Sequence, residues 1–296
     1  MSNSKYYKVV KKSKFSELSW IDFLKKTIKK NPKVIVSIGD DCAVVKGEKK
    51  TYILTSDLSI EEVHFSLVKS DYRTIGKRAV ARAFSDIAAC AGSPEFVGVS
   101  IGLPKYVTNR ALKRLWEGII FMCSKYKASV VGGDTARSDK LFLDIWVVGN
   151  ANKVVLRRGA KEGDYIFVSG VLGKLKFNEV FYPKIDEAKE LANKYKINSM
   201  IDISDGFIID LFRILKESNK GAILWKNMIP IYKGINDIFR GEDYELIFTV
   251  DKEEKKINEL IGRFYLVGIV KDSKFGYWME EGEVKRRVEV KGFLHF

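Results

Sequence analysis

Hydrophobic and polar positions follow two different periods along the chain, and together they predict a mixed α/β protein. Apolar residues recur at helical spacing in three stretches of the first half, residues 16–30, 72–91 and 108–126. Shorter apolar runs predict strands at residues 33–38, 51–57, 95–103 and 141–149, and a further strand before Gly132, so that two strands bracket the GGDT sequence at 132–135. Helices and strands that alternate in this way favour an α/β or α+β fold over a helical bundle or a sandwich.

The pattern restarts after Gly149 and predicts a second domain. Its first elements are a strand, a glycine loop, a polar helix and a strand, at residues 165–168, 170–173, 185–196 and 200–203. The last strand breaks at a Ser-Asp-Gly sequence, where Ser204 or Asp205 fits the N-cap of a further helix. We therefore expect two domains of mixed α/β structure, residues 1–150 and 151–296.

Carboxylates stand where apolar segments end, beside Gly, Ser or Thr. The six positions of this kind are Asp41, Asp57, Asp86, Asp134, Asp202 and Asp205. If these side chains converge, their mutual repulsion requires cations. Hard oxygen ligands suit magnesium, which also bridges to substrate phosphates. Each aspartate taken alone is better explained by a capping or turn role, but the set favours a metal site.

Two of these acidic positions carry a local constraint. Asp41 follows Asp40, and neighbouring side chains of a regular strand point to opposite faces, so only one of the pair would face a ligand. Asp86 lies in the last turns of the helix predicted over 72–91, where the helix dipole disfavours a negative charge. Asp86 therefore needs a cation nearby.

The composition fits a folded protein of a reducing compartment. Of the 296 residues, 46% are hydrophobic, which suffices for a large core. No apolar run approaches the roughly 18 residues of a spanning helix, and the N-terminus lacks the apolar region of a secretory signal. The cysteines, Cys42, Cys90 and Cys123, lack the spacing of a disulfide framework or a zinc site. We expect a cytoplasmic protein that binds no membrane.

The formal net charge of +14 would suit an anionic partner such as a nucleic acid or a phosphorylated small molecule. The lysines are spread along the chain and do not form a block interleaved with aromatics, which favours solvated helix faces over a nucleic-acid surface. A Walker A sequence, a dinucleotide-binding GxGxxG sequence and a GxSxG elbow are all absent. The sequence therefore gives little support to a P-loop, Rossmann or serine-hydrolase site.

Eight short motifs occur in a fixed order over nearly the whole chain. They are IGDDCA at 38–43, TSD at 55–57 with VHF at 63–65, SDIAA at 85–89, GGDT at 132–135, RRGA at 157–160 with GD at 163–164, DISDG at 202–206, GEDYEL at 241–246 and GFLHF at 292–296. Each motif alone is weak, but the ordered series resembles the thiamine-monophosphate kinase family. This family is part of the aminoimidazole ribonucleotide synthetase superfamily.

The resemblance implies a fold, an activity and an assembly. The fold would be the two-domain, mixed-sheet aminoimidazole ribonucleotide synthetase-like fold, with ATP and magnesium in the cleft between the domains. The activity would be ATP-dependent phosphorylation of thiamine monophosphate to thiamine diphosphate, by direct γ-phosphoryl transfer without a phosphoenzyme. Several magnesium ions would take part, and the N-terminal domain would form a homodimer.

The matching motifs also imply residue roles. Magnesium ligands would be Asp41, Thr55, Ser56, Asp57, Asp86, Asp134, Asp202 and Asp205. ATP contacts would be Gly133, Asp134, Arg157 and Ser204. Contacts to thiamine phosphate would be His64, Glu242 and Phe293. A metal ion would supply the cation that Asp86 needs, and Phe293 could stack on the pyrimidine or face the cationic thiazolium.

The chain departs from the usual family pattern at three positions. Glu62 and Arg240 stand where glycine is common, and Ala83 stands where asparagine is common. The segment between Gly173 and Met200 is also short. Because this segment helps to shape the substrate side of the site in the family, its length bears on substrate identity more than on metal binding. One alternative is another ATP-dependent synthetase of the superfamily, although a selenophosphate-type enzyme is disfavoured because no cysteine precedes Cys42. The alternative from a different class is a basic nucleic-acid-binding protein.

Overall fold

A computed structural model describes residues 17–28 and 31–293 of the chain. The first part contains α1 (Glu17–Thr27), β1 (Val34–Val36), β2 (Ala43–Lys46), β3 (Thr51–Ile60), α2 (Tyr72–Ala89), β4 (Ser93–Leu103), α3 (Asn109–Lys125), β5 (Ser129–Arg137) and β6 (Phe142–Ala151). The second part contains β7 (Tyr165–Val168), α4 (Ile185–Lys194), β8 (Ile197–Asp202), α5 (Phe207–Glu217), β9 (Lys220–Trp225), β10 (Leu246–Val250), α6 (Ile257–Ile261), β11 (Tyr265–Asp272), β12 (Tyr277–Glu281) and β13 (Val284–Arg287). Residues 294–296, the end of the last sequence motif, lie outside the described residues.

The first sheet has six strands in the order β1-β2-β3-β6-β4-β5, and α2 and α3 pack on one of its faces. Its neighbouring strands are antiparallel except β4 and β5, which are parallel. Strand β6 alternates strictly, so that Leu143, Ile145 and Val147 are buried while the residues between them are half-buried. This period of two turns one face of the sheet toward the helices and leaves the other face open.

The second sheet has seven strands in the order β13-β12-β9-β11-β7-β10-β8. The β12–β9 pair is parallel and the other pairs are antiparallel. Strand β10 is buried along its whole length, and its Phe248 stacks on Phe167 of β7 at 5.5 Å between ring centroids. Helix α5 packs on this sheet and contacts β8, β9 and β10.

Helix α2 joins the two sheets. It contacts β3, β4 and β6 of the first sheet and β8 of the second. Phe84 of α2 belongs to the same buried cluster as Phe248. The helix also crosses α3 closely, because a Cβ atom at Gly76 would lie 2.1 Å from the backbone oxygen of Leu115. The helix is therefore held from both sides, and it carries Asp86 near its C-terminal end.

The mixed α/β fold and several of its predicted elements are confirmed. The predicted strand over 165–168 has the observed bounds, and Thr108 caps α3 by accepting a hydrogen bond from the backbone nitrogen of Ala111. The three cysteines are free and buried, as the sequence predicted. No helix in the described ranges has the length and apolarity to cross a bilayer.

Three local predictions were wrong or incomplete. The GGDT motif does not separate two strands but lies within β5, where a Cβ atom at Gly133 would approach the backbone oxygen of Val99 to 1.8 Å. Gly206 rather than Ser204 or Asp205 is the N-cap residue of α5. Strand β2 was not predicted, since its short apolar run lacks a clear period.

The predicted division of the chain near residue 150 stays a prediction. It coincides with the end of β6 at Ala151, after which the next strand, β7, belongs to the second sheet.

Candidate active site

Three carboxylates converge where the two sheets meet. Asp41 precedes β2, Asp86 lies in α2 and Asp202 ends β8. Each offers an oxygen atom within 4.8 Å of the other two. Two oxygens that share one magnesium ion lie at most about 4.2 Å apart, so a small adjustment would let the three bind one ion. We call these three residues the acidic cluster.

Hydroxyl groups and an arginine orient the acidic cluster. Thr55 donates a hydrogen bond to Asp86 Oδ2 and Ser85 donates one to Asp202 Oδ2, each at 2.6 Å. Arg157 donates to Asp41 Oδ1 at 2.5 Å. Asp41 Oδ2 is buried and has no hydrogen-bond partner among the residues that the structure describes. The cluster thus retains an acceptor that a cation could satisfy.

Burial makes ionisation of two members of the cluster, Asp86 and Asp202, unfavourable. Burial, followed by the charge of Asp202, holds the pKa of Asp86 well above its usual range. Burial, followed by the charge of Asp41, raises the pKa of Asp202 to about 8. A divalent cation would reverse both effects, because it stabilises the ionised form. The electrostatics therefore fit a metal site.

Asp40 and Asp41 lie in a turn and not in a regular strand, with Gly39 at a φ of 119°. Both therefore contact Arg157, Asp41 through the guanidinium and Asp40 through the backbone nitrogen at 3.1 Å. Asp40 also accepts a hydrogen bond from the backbone nitrogen of Asp41. Burial raises the pKa of Asp40 to about 6. Asp40 therefore holds the backbone of this turn and of the segment at Arg157.

Arginines of α2 connect Asp57 with Glu242. Arg82 donates to both carboxylate oxygens of Asp57, at 3.1 Å each. Its Nη1 atom lies 3.7 Å from Glu242, and Nη2 of Arg78 lies 3.4 Å from the same carboxylate. Burial raises the pKa of Glu242, and the two arginines oppose that rise. A predicted metal ligand and a predicted substrate contact thus share one arginine.

The loop between β8 and α5 wraps around a carboxylate that the sequence did not single out. Asp210 Oδ2 accepts hydrogen bonds from the backbone nitrogens of Ser204, Asp205 and Gly206, at 3.0 to 3.1 Å. Arg213 pairs with both Asp210 and Asp205, at 2.5 and 2.6 Å. The loop is therefore held by Asp210 at the start of the helix, and Asp205 already has a cationic partner.

Three predicted residues lie away from the acidic cluster. Ser56 alternates with Thr55 and Asp57 along β3, so it faces the opposite side of the sheet, where its hydroxyl donates to Asp144 at 2.5 Å. Gly133 and Asp134 lie on the exposed edge strand β5. Their assignments to magnesium and ATP stay predictions.

The two remaining substrate residues lie on separate segments. His64 Nδ1 accepts a hydrogen bond from the backbone nitrogen of Ile60 at 3.0 Å, so the neutral ring carries its proton on Nε2. Phe293 donates its backbone N–H to the carbonyl of Asp205 at 2.9 Å, and its side chain is 42% exposed. This bond brings the C-terminal segment to the loop at Ser204.

The sequence pattern singled out Arg157 but not the two arginines of α2, Arg78 and Arg82. Arg78, Arg82 and Asp86 recur every four residues and therefore share one face of α2. This stripe of charges on a helix that is otherwise rich in alanine was the available signal. Asp210 had no such signal, because an acidic residue in a first helical turn is common.

Comparisons with known proteins agree with this geometry. A family model described as AIR synthase related protein, N-terminal domain, matches residues 39–151. The thiamine-monophosphate kinase of Buchnera aphidicola subsp. Schizaphis graminum is 31% identical, over 93% of this chain and 96% of that protein. The enzyme of the same name from Methanocaldococcus jannaschii is 33% identical, over 88% of this chain and 95% of that protein.

Solved structures of similar proteins agree with the sequence comparisons. AaThiL complexed with AMPPCP and TMP superposes with a TM-score of 0.82 and 30% identity, and the match covers 95% of this chain and 97% of that one. The hydrogenase maturation protein HypE in complex with ATP, at 16% identity and a TM-score of 0.70, shares the fold. The sequence identity over almost the full length of the kinases is decisive, and the chain belongs to the thiamine-monophosphate kinase family.

Proposed function

We propose that the protein phosphorylates thiamine monophosphate to thiamine diphosphate with ATP as the phosphoryl donor. The observation that carries the proposal is the acidic cluster, built from motifs of the family on both sheets. A relative of 30% identity has been solved as a complex with AMPPCP and TMP, which supports a nucleotide and a phosphorylated substrate as ligands. The earlier alternatives, a synthetase of the same superfamily and a nucleic-acid-binding protein, lack a comparable observation.

Magnesium is the cation that this site fits best. Asp41, Asp86 and Asp202 would hold it, and the unpartnered Asp41 Oδ2 offers a free ligand atom. When bound, magnesium would neutralise charge on the phosphates that it bridges. Thr55 and Ser85 hold two of the carboxylates in position through their hydroxyl groups. We extend the proposal to several ions, with Ser56, Asp134 and Asp205 as further candidates.

The chain needs no covalent nucleophile for this reaction. The attacking group is an oxygen of the substrate phosphate, which is already ionised near neutral pH, so the protein has to position it and shield its charge. We assign Arg157, Ser204, Gly133 and Asp134 to ATP. His64, Glu242 and Phe293 would hold thiamine monophosphate. Glu242 already lies beside two arginines, which places a predicted substrate contact next to cations that suit a phosphate.

We also propose that the enzyme is a cytoplasmic homodimer with two domains, residues 1–150 and 151–296. Large apolar side chains stand on the open face and edge of the first sheet, where Leu58, Phe96 and Val131 are 43%, 45% and 54% exposed. Trp146 lies on the same face, across Gly98. An apolar face of this kind marks a protein contact. The free buried thiols suit a reducing compartment.

A product assay tests the activity. Purified protein, ATP, magnesium and thiamine monophosphate should yield thiamine diphosphate and ADP. Asp202→Asn should lower kcat/KM by more than about 100-fold, since it removes a direct ligand of the proposed metal site. Asp139→Asn, at an exposed position between β5 and β6, is the matched control and should keep normal activity. Turnover of ATP on another phosphorylated substrate, without thiamine diphosphate, would favour a synthetase.

A further inference from the structure

Arg82 holds a position that the family assignment gives to a metal. Its Nε and Nη2 atoms engage the two oxygens of Asp57 at 3.1 Å each, in the parallel fork geometry of a strong arginine–carboxylate pair. Its Nη1 atom is buried and has no hydrogen-bond partner in the described part of the chain. Only 13% of the Arg82 side chain is exposed, so moving it would break the pair with little solvent to compensate.

Such a pair conflicts with metal binding at Asp57. A magnesium ion would have to lie about 2.1 Å from a carboxylate oxygen that Arg82 already engages. The ion and the guanidinium would then be within a few ångströms of each other, where like charges in a protein interior repel strongly. Asp57 can serve one of these two cations well, but not both.

The carboxylates of the site fall into two groups, those that pair with an arginine and those that do not. Four of its carboxylates have an arginine partner, in the pairs Asp41–Arg157, Asp57–Arg82, Glu242–Arg78 and Asp205–Arg213. Asp86 and Asp202 have no ion pair within the described ranges, and hydroxyl groups are their only side-chain donors. The uncompensated negative charge therefore lies in the acidic cluster and not at Asp57.

We propose that Arg82 is a resident cation of the active site, and that its guanidinium takes the place of a metal ion at Asp57. Metal ions then bind at the acidic cluster, while Asp57 and Arg82 form a fixed neutral pair beside it. Because Nη1 of Arg82 also lies 3.7 Å from Glu242, the pair links the metal side of the site to its substrate side. The inference rests on the proposed metal cluster, but it does not depend on which phosphate ester is the substrate.

The test measures how many Mn²⁺ ions each chain binds in the absence of nucleotide and substrate. The electron paramagnetic resonance signal of the free ion gives the unbound fraction. Arg82→Ala should bind one more ion than the wild type, because Asp57 becomes free to act as a ligand. Adding Asp57→Asn to this variant should restore the wild-type number. Lys77→Ala removes one positive charge from the same helix, at a side chain that lies over Phe121, and should leave the number unchanged.

A second variant keeps the test decisive if Arg82→Ala fails to fold. Asp57→Asn alone preserves the shape of the side chain, and we expect it to bind as many ions as the wild type. A loss of one ion in Asp57→Asn, or an unchanged number in folded Arg82→Ala, would overturn the role of Arg82. If the numbers of bound ions are as expected but no thiamine diphosphate is formed, the proposed substrate is wrong and the proposed role of Arg82 is still supported.

Discussion

At the residue scale, the site depends on how each buried carboxylate is compensated. Asp41, Asp57 and Glu242 contact arginines, whereas Asp86 and Asp202 rely on hydroxyl donors among the described residues. A hydroxyl group stabilises an ionised carboxylate far less than a cation does. Burial therefore favours the protonated forms of Asp86 and Asp202, and a bound cation would favour their ionised forms.

Competition between a proton and a metal ion at Asp202 makes stabilisation by magnesium depend on pH. Burial raises the pKa of Asp202 from 3.8 to about 8, so the folded protein keeps a proton that the unfolded chain releases over this range. The corresponding contribution to the unfolding free energy is complete below about pH 4 and is lost as the pH rises through about 8. Magnesium must displace that proton, so it should raise Tm more at about pH 8 than at about pH 6.

Thermal unfolding with and without magnesium at the two pH values measures the effect. Asp202→Asn should abolish the difference between them, and Asp139→Asn should retain it. An equal rise in Tm at both pH values in the wild type would contradict the prediction that magnesium displaces a proton from Asp202.

Residue positions in the site were only partly predictable from the sequence. Asp41, Asp86 and Asp202 could be found because carboxylates that end apolar segments are conspicuous. Arg82 could not be found in the same way, because long basic side chains on a helix are usually solvated. The charged stripe of α2 was the signal in the sequence, and the contacts of Arg82 with Asp57 and Glu242 distinguish it from a surface arginine.

At the scale of elements, the position of α2 determines the site. The helix approaches α3 closely because Gly76 and Gly118 lie where the two backbones cross. The sequence predicted the helix from its apolar stripe but not this crossing, since a glycine inside a helix lowers helix propensity whatever the reason for its presence. Similarly, the glycines of GGDT resembled a turn, although Gly133 serves the close pairing of β5 with β4.

The crossing gives a prediction for stability. In Gly76→Ala, the new methyl group would lie 2.1 Å from the backbone oxygen of Leu115, so the helices must move apart. We expect a loss of about 1–3 kcal/mol in unfolding free energy, typical of overpacking, in chemical denaturation. Gly262→Ala is the matched control, because its methyl group would meet no atom closer than 3.5 Å. Equal stability of Gly76→Ala and the wild type would argue against a rigid contact here.

At the scale of the whole molecule, the open face of the first sheet carries exposed apolar side chains. Leu58 stands on this face together with Trp146 and is 43% exposed. The strand pattern predicted that one face is covered, but it could not tell whether solvent or a second chain lies on the other.

This face gives a prediction for assembly. Leu58→Lys places a charge in the proposed dimer contact and should shift the protein from dimer to monomer, measured by size-exclusion chromatography with light scattering. Ile261→Lys changes an exposed apolar residue of the second part, 48% exposed, and should leave the dimer intact. A monomeric wild type, or an unaffected Leu58→Lys dimer, would exclude this contact.

The acidic cluster has a consequence for folding kinetics. Its ligands come from the turn before β2, from α2 and from the end of β8, so they assemble only when both sheets have docked. An ion at this place would be absent from early folding intermediates and would act after the rate-limiting step. Magnesium should therefore slow unfolding of the protein while leaving its refolding rate nearly unchanged.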